Sequence, residues 1–172
     1  ACMRANVTLA GGETATLPGI VTELDLSGTA LGWLPAGKAI AGSDIRPGDV
    51  LIGFPSSGIH SNGFSLVRKV VTKSRMSLTG PCPFSPGHES RSIEFDHGDL
   101  GSVLLNPTRI YVDPIVELLF TDMAICDRES IHGIAHITGG GLSNLLRLSQ
   151  SVQFLITDPL DPQPEFKWIA SE

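Results

Sequence analysis

A chain of 172 residues, 41% hydrophobic and 17% charged, is long enough to bury one good core, or one domain and part of a second. Its 12 basic and 18 acidic residues leave a formal net charge of −6, which argues against a nucleic-acid surface, because neutralising phosphates takes clustered Lys and Arg. No apolar run approaches the ~20 residues of a membrane span, and residues 1–10 lack the regions of a signal peptide. Cys2, Cys82 and Cys126 are unevenly spaced and form neither a disulfide framework nor a zinc pattern, so they fit a reducing cytoplasm.

The chain opens with a short β-like run, "NVTLAGGETATLPGI", closed by Gly11-Gly12 and Pro18-Gly19. Residues 24–35, "LDLSGTALGWLP", alternate well enough to predict a strand, and a domain boundary is placed near residues 35–38. Arg46-Pro47-Gly48-Asp49 is a turn that delivers a further strand over 50–54. After Gly63 the period changes. Phe64, Val67, Val70 and Val71 recur at helical intervals, with Ser65, Arg68, Lys69 and Thr72 opposite.

Residues 76–102 carry turn residues and no period, which predicts a surface excursion with room for one helical turn. Asp113-Pro114 reads as an N-cap followed by proline at the first helical position. "IHGIAHIT" (131–138) is a predicted strand. "GGGLSNLLRLS" (139–149) is a glycine loop running into a helix whose expected buried stripe is Leu142, Leu145 and Leu146. "SVQFLIT" (151–157) is another predicted strand. The final helix, begun by "DPQPEFKWIASE", is expected to run on, so the chain reads as a fragment.

Twice, then, small residues stand just ahead of a predicted helix: "SSGIHSNG" and "TGGG". The first N–H groups of a helix have no internal partner, and the macrodipole places about half a positive charge there. Glycine lets a phosphate approach that backbone closely. Each stretch is therefore either a helix cap or an anion pocket, and neither matches a regular nucleotide-binding pattern. His60, with Ser61 and Asn62 beside it, has more polar reach than a cap needs. His136 precedes the glycine triplet in an alternating run, where a half-buried structural histidine is the default. Glu13, flanked by Gly-Gly and Thr14, could contact Mg²⁺ bound to phosphates.

Four strings decide among these possibilities: "GGETATLPG" (11–19), "GDVLIGFPSSGIHSNGFSLVRKV" (48–70), "LLNPTRIYVDPIVELL" (104–119) and "GIAHITGGGLSNLLRL" (133–148). Their order and spacing resemble the phosphoribosylformylglycinamidine cyclo-ligase family, also called aminoimidazole ribonucleotide synthetases. The resemblance runs from Leu9 to Trp168 and is weakest over 76–102. It implies an α/β (α+β) fold, in which residues 37–172 are a C-terminal domain with a mixed sheet flanked by helices. Residues 1–36 would be the last strands of an N-terminal ATP-binding and dimerisation domain. Thr16-Leu17 departs from the Glu-Met that the family commonly carries there.

The same resemblance implies a cytoplasmic homodimer that uses ATP and Mg²⁺ to close the imidazole ring of a small-molecule nucleotide, with no nucleic-acid or membrane partner. His60 would be the catalytic group, as general acid/base or donor. Ser61, Asn62 and Gly63 would hold substrate, with His136 a second-rank contact. Thr138, Gly139, Gly140 and Gly141 would cradle a ribose or ATP phosphate. Glu13 would hold Mg²⁺–ATP, with Thr14 on the nucleotide. The fragment alone is expected to be inactive. Two alternatives stay open: a kinase-like relative of the thiamine-monophosphate kinase or selenophosphate synthetase type, and a non-catalytic substrate-binding module. The "HSNG" block favours the cyclo-ligase.

Overall fold

The computed structural model describes residues 1–86, 98–120 and 127–172. The helical stripe after Gly63 forms helix α1 over Phe64–Ser74, and Val67 and Val70 on that stripe are buried. The helix closes in a Schellman motif. Met76 N–H donates to Val71 O and Arg75 N–H donates to Thr72 O, both at 3.3 Å, while Met76 and Val71 pack together against the core.

Arg75 occupies the left-handed position of that motif with φ 55°, where glycine is usual. Arg75→Gly removes the steric cost of a Cβ there but loosens the unfolded chain. The net expectation is a gain of ~0.5–1 kcal/mol and a melting temperature up by about 1–4 °C in calorimetry. A lowered melting temperature would show that the arginine side chain contributes more than its backbone costs.

Helix α2 spans Leu100–Leu104. Asp99 caps it: Oδ1 accepts from Ser102 N–H at 2.8 Å and Oδ2 from Ser102 Oγ at 3.0 Å. The cap points Leu100, Val103 and Leu104 inward, and Leu100 is 0% exposed. This corrects the expectation of a surface excursion over 76–102. Both ends of that segment are core, because Met76, Cys82 and Phe84 also pack against the main cluster. Residues 87–97, with His88 and His97, lie outside the described residues.

Helix α3 spans Val112–Phe120, so Asp113 lies in its first turn rather than at its cap. Helix α4 spans Pro164–Ser171 with proline at its start, and buries Glu165 and Trp168. The main cluster joins Ile59, α1, α2 and α4, with the Trp168 and Phe84 ring centroids 5.7 Å apart. Among the described residues no helix is long and apolar enough to cross a membrane.

The expected mixed sheet is not formed among the described residues, whose only β-pairing is an isolated antiparallel bridge between Pro81 and Asp99. The segments 24–35, 50–54, 131–138 and 151–157 are irregular. Alternation marks the two faces of a strand but does not supply the neighbour whose amides it needs. Val50 and Ile52 are 82% and 81% exposed, so the burial that would hold a ladder together is not made here. Residues 1–39 are exposed apart from Ala5.

The segment after Gly140 also differs from expectation. Gly141–Arg147 is a 3-10 helix rather than an α-helix. Its expected buried stripe is largely open, with Leu142 and Leu146 exposed, and Asn144 is the buried residue instead.

Candidate functional site

The turn from Pro55 to Gly63 hangs from the core by Ile59, whose side chain belongs to the main cluster. A turn this deep must find partners for its backbone, and it does so one carbonyl at a time. Pro55 O accepts from Arg109 Nη1 at 3.1 Å and from Tyr111 OH at 3.0 Å. Ser56 O accepts from Gln163 Nε2 at 2.7 Å, and Ser56 Oγ donates back to Gln163 Oε1 at 3.1 Å. Ser57 O accepts from Asn106 Nδ2. Three successive carbonyls are thus held by side chains from two distant segments, 106–111 and the start of α4.

Gly58 fits beneath these anchors because it has no side chain. A Cβ there would meet Glu165 Oε1 at 3.0 Å, and its φ of 133° is strained for any other residue. Glu165 is 0% exposed and Asn106 is 3% exposed, so the floor of the turn is polar and closed.

His60 stands at the bend with φ 58°, half-buried. Its Nε2 accepts from Ser57 N–H at 3.0 Å, meets Ser57 Oγ at 2.9 Å and lies 3.4 Å from Arg109 N–H. The Ser57 hydroxyl also donates to Pro107 O at 2.9 Å. The Tyr111 ring meets the imidazole edge-on, with centroids 6.3 Å apart. Burial pushes the His60 pKa below its ordinary value, and the charges of His136 and Arg109 act in the same direction. At neutral pH the ring is therefore neutral.

The other candidate residues of this block surround the bend. Ser61 Oγ pairs with Thr108 Oγ1 at 3.3 Å on the exposed side. Asn62 is half-buried and its amide donates to Ile59 O at 3.4 Å. Gly63, φ 76°, starts α1 with no side-chain cap. The cap reading of this block therefore has no support in the side chains, since neither Ser61 nor Asn62 caps the helix.

His136 is exposed, and its charge reaches His60. Two residues on, the glycine loop is knitted to Asn144. Asn144 Oδ1 accepts from Thr138 N–H at 2.8 Å and from Thr138 Oγ at 2.9 Å, while Gly141 N–H donates to Thr138 O at 2.8 Å. Asn144 Nδ2 fills the place where a Cβ on Gly140 would sit. The donors of Thr138 and Gly141 are thus engaged within the loop.

Residues 46–172 match the family described as AIR synthase related protein, C-terminal domain. The chain belongs to that family. The match takes in the clamped turn, its anchors in segment 106–111, the glycine loop and α4. Over 168 residues, or 98% of its length, the chain is 42% identical to the phosphoribosylformylglycinamidine cyclo-ligase of Methanosarcina mazei, covering 45% of that protein. It is 44% identical over 165 residues to the enzyme of that name from Methanothermobacter thermautotrophicus, covering 44% of it. With the Thermoplasma acidophilum protein of the same name it shares 41% over 162 residues, 42% of that chain. The chain thus spans less than half the length of the curated relatives it matches.

Within this AIR synthase related domain the structure gathers His60, Ser61, Asn62 and Gly63 at one bend, with His136 in electrostatic range. Glu13 and Thr14 precede the matched residues and are exposed. Among the described residues no hydrogen bond ties either of them to the two loops, and no three His, Cys, Asp or Glu side chains come together to hold a metal ion. The residues that sequence patterns missed are the anchors: Ser57, Asn106, Arg109, Tyr111, Asn144 and Gln163.

Proposed function

We propose that this chain is part of a phosphoribosylformylglycinamidine cyclo-ligase, closing the ring of formylglycinamidine ribonucleotide to give aminoimidazole ribonucleotide in purine biosynthesis. The observation that carries the proposal is identity of 41% to 44% over nearly all of the chain to relatives of that name. The amide oxygen of the substrate is a poor leaving group. ATP phosphorylates it, the ring nitrogen attacks the activated carbon, and phosphate departs. Positioning and charge neutralisation dominate such phosphoryl transfers.

In this proposal His60 addresses the oxygen being phosphorylated. Ser61, Asn62, Gly63 and His136 hold the nucleotide, and the loop of Thr138, Gly139, Gly140 and Gly141 receives a phosphate once Asn144 yields Thr138. Glu13 and Thr14 are candidates for ATP and its Mg²⁺ only in an assembly that adds further ligands. The proposal extends to a cytoplasmic homodimer and to a mixed sheet in the assembled domain, with strands along 50–54, 131–138 and 151–157.

The test is turnover of the protein at the full length of its relatives. ADP and aminoimidazole ribonucleotide should appear together, one for one. ATP consumed with phosphate transferred to another acceptor would favour the kinase-like reading. Nucleotide binding without turnover would favour a substrate-binding module.

A further inference from the structure

Two backbone donors and a hydroxyl crowd one nitrogen of His60. The N–H groups of Ser57 and Arg109 point at Nε2 from 3.0 and 3.4 Å, and the Ser57 hydroxyl stands 2.9 Å away. A hydroxyl hydrogen can rotate; backbone amide hydrogens cannot. A proton on Nε2 would face both fixed N–H groups, so Nε2 must offer its lone pair, and a neutral ring then carries its proton on Nδ1. The Ser57 hydroxyl has one hydrogen for two acceptors, Nε2 and Pro107 O, each 2.9 Å away. Turned to Nε2 it bonds the ring; turned to Pro107 O it bonds segment 106–111 and leaves Nε2 to the two backbone N–H groups. Ser57 is itself buried and fixed through its carbonyl by Asn106. Among the described residues no group is hydrogen-bonded to Nδ1.

We infer that His60 meets the substrate as a neutral hydrogen-bond donor through Nδ1–H, and that Ser57 is the positioning residue that fixes this tautomer. The inference rests on the proposed ring closure for the identity of the acceptor, an oxygen that changes charge as it is phosphorylated. It narrows the role of His60: with Nε2 occupied, the ring is not a general base through that atom. A preset donor costs no reorganisation when charge develops on its acceptor. The lowered pKa of the ring agrees with this, since the neutral form is the one the turn binds.

Nitrogen-15 NMR of the labelled chain reads the tautomer directly. The expected spectrum at pH 7 shows His60 Nδ1 protonated and Nε2 bare. The reverse pattern, or an imidazolium, overturns the inference. Ser57→Ala should raise the share of the Nε2–H tautomer about threefold to tenfold, the worth of one hydrogen bond. An unchanged tautomer ratio in that variant removes Ser57 from the role.

The donor itself is tested in the full-length protein with two variants that differ in which nitrogen they imitate. The amide of His60→Asn sits near Nδ1, and asparagine tolerates φ 58°. The amide of His60→Gln reaches towards Nε2. The inference expects His60→Asn to keep kcat within about tenfold of the parent, while His60→Gln loses ~10²–10⁴. Equal losses at unchanged melting temperature would overturn it. If the parent itself closes no ring, the proposed function fails and the donor role falls with it, while the spectrum still decides the tautomer.

Discussion

His60→Ala in the full-length protein is expected to lower kcat by ~10²–10⁴, with KM for the nucleotide changed no more than several-fold. The split follows from geometry. In the proposed ring closure Ser61, Asn62 and the glycine loop hold the nucleotide and are left intact, while the group that would address the reacting oxygen is lost. The fold should tolerate the change. Ser57 and Arg109 N–H lose an acceptor, but His60 is half-exposed and water can replace it. A left-handed alanine adds ~1 kcal/mol of strain at most comparable to what His60 already carries. Steady-state kinetics with a melting curve checks this. If kcat stays within threefold of the parent while the melting temperature drops sharply, His60 is a structural residue of the turn.

The largest stability effect is expected at Asn106, which no sequence pattern singled out. Asn106→Asp replaces the Nδ2 that donates to Ser57 O with a carboxylate oxygen facing that carbonyl, at a position 3% exposed. A buried charge without compensation costs ~3–5 kcal/mol, or about 6–20 °C in melting temperature. The effect should depend on pH with a defined sign. Burial beside a carbonyl raises the folded-state pKa of the new carboxyl above its unfolded value near 3.9. Stability is therefore present below that pH, where the protonated acid can donate, and is lost as pH rises through the folded pKa. Urea titrations at pH 3.5 and 7 measure it. A loss under 1 kcal/mol at pH 7 would mean that the turn is not anchored through Asn106.

The contrast between these two residues shows what the sequence could disclose. Helix α1 was legible because Val67 and Val70 carry their signal in local spacing, and α4 because Pro164 marks its first turn. His60 and Ser61 stood out as candidates because they adjoin a small-residue turn before a helix. Asn106 and Gln163 were not, since the carbonyls they hold lie 49 and 107 residues away in the chain. A usable signal existed: a turn with three successive carbonyls must draw donors from elsewhere, and Asn106 follows Leu104-Leu105.

Helix α2 was hidden by the polar residues around it, although Asp99 followed by Leu100, Val103 and Leu104 is a capped apolar stripe in miniature. At Gly141–Arg147 the leucines misled. A 3-10 helix has three residues per turn, so a stripe drawn at the α-helical interval falls on the wrong side and Asn144 turns inward. Alternation over 24–35 and 131–138 marks faces but not partners, and pairing is a property of the whole sheet.

The fate of one oxygen atom tests the central claim most directly. Substrate labelled with ¹⁸O at the amide carbonyl, incubated with ATP and the full-length protein, should release its label in inorganic phosphate, one labelled phosphate per ring closed. That result follows only if the oxygen is phosphorylated before the ring nitrogen attacks. Ring closure with the label lost to water would contradict phosphorylation of that oxygen, and ATP spent with the label still in the amide would contradict the proposed ring closure itself.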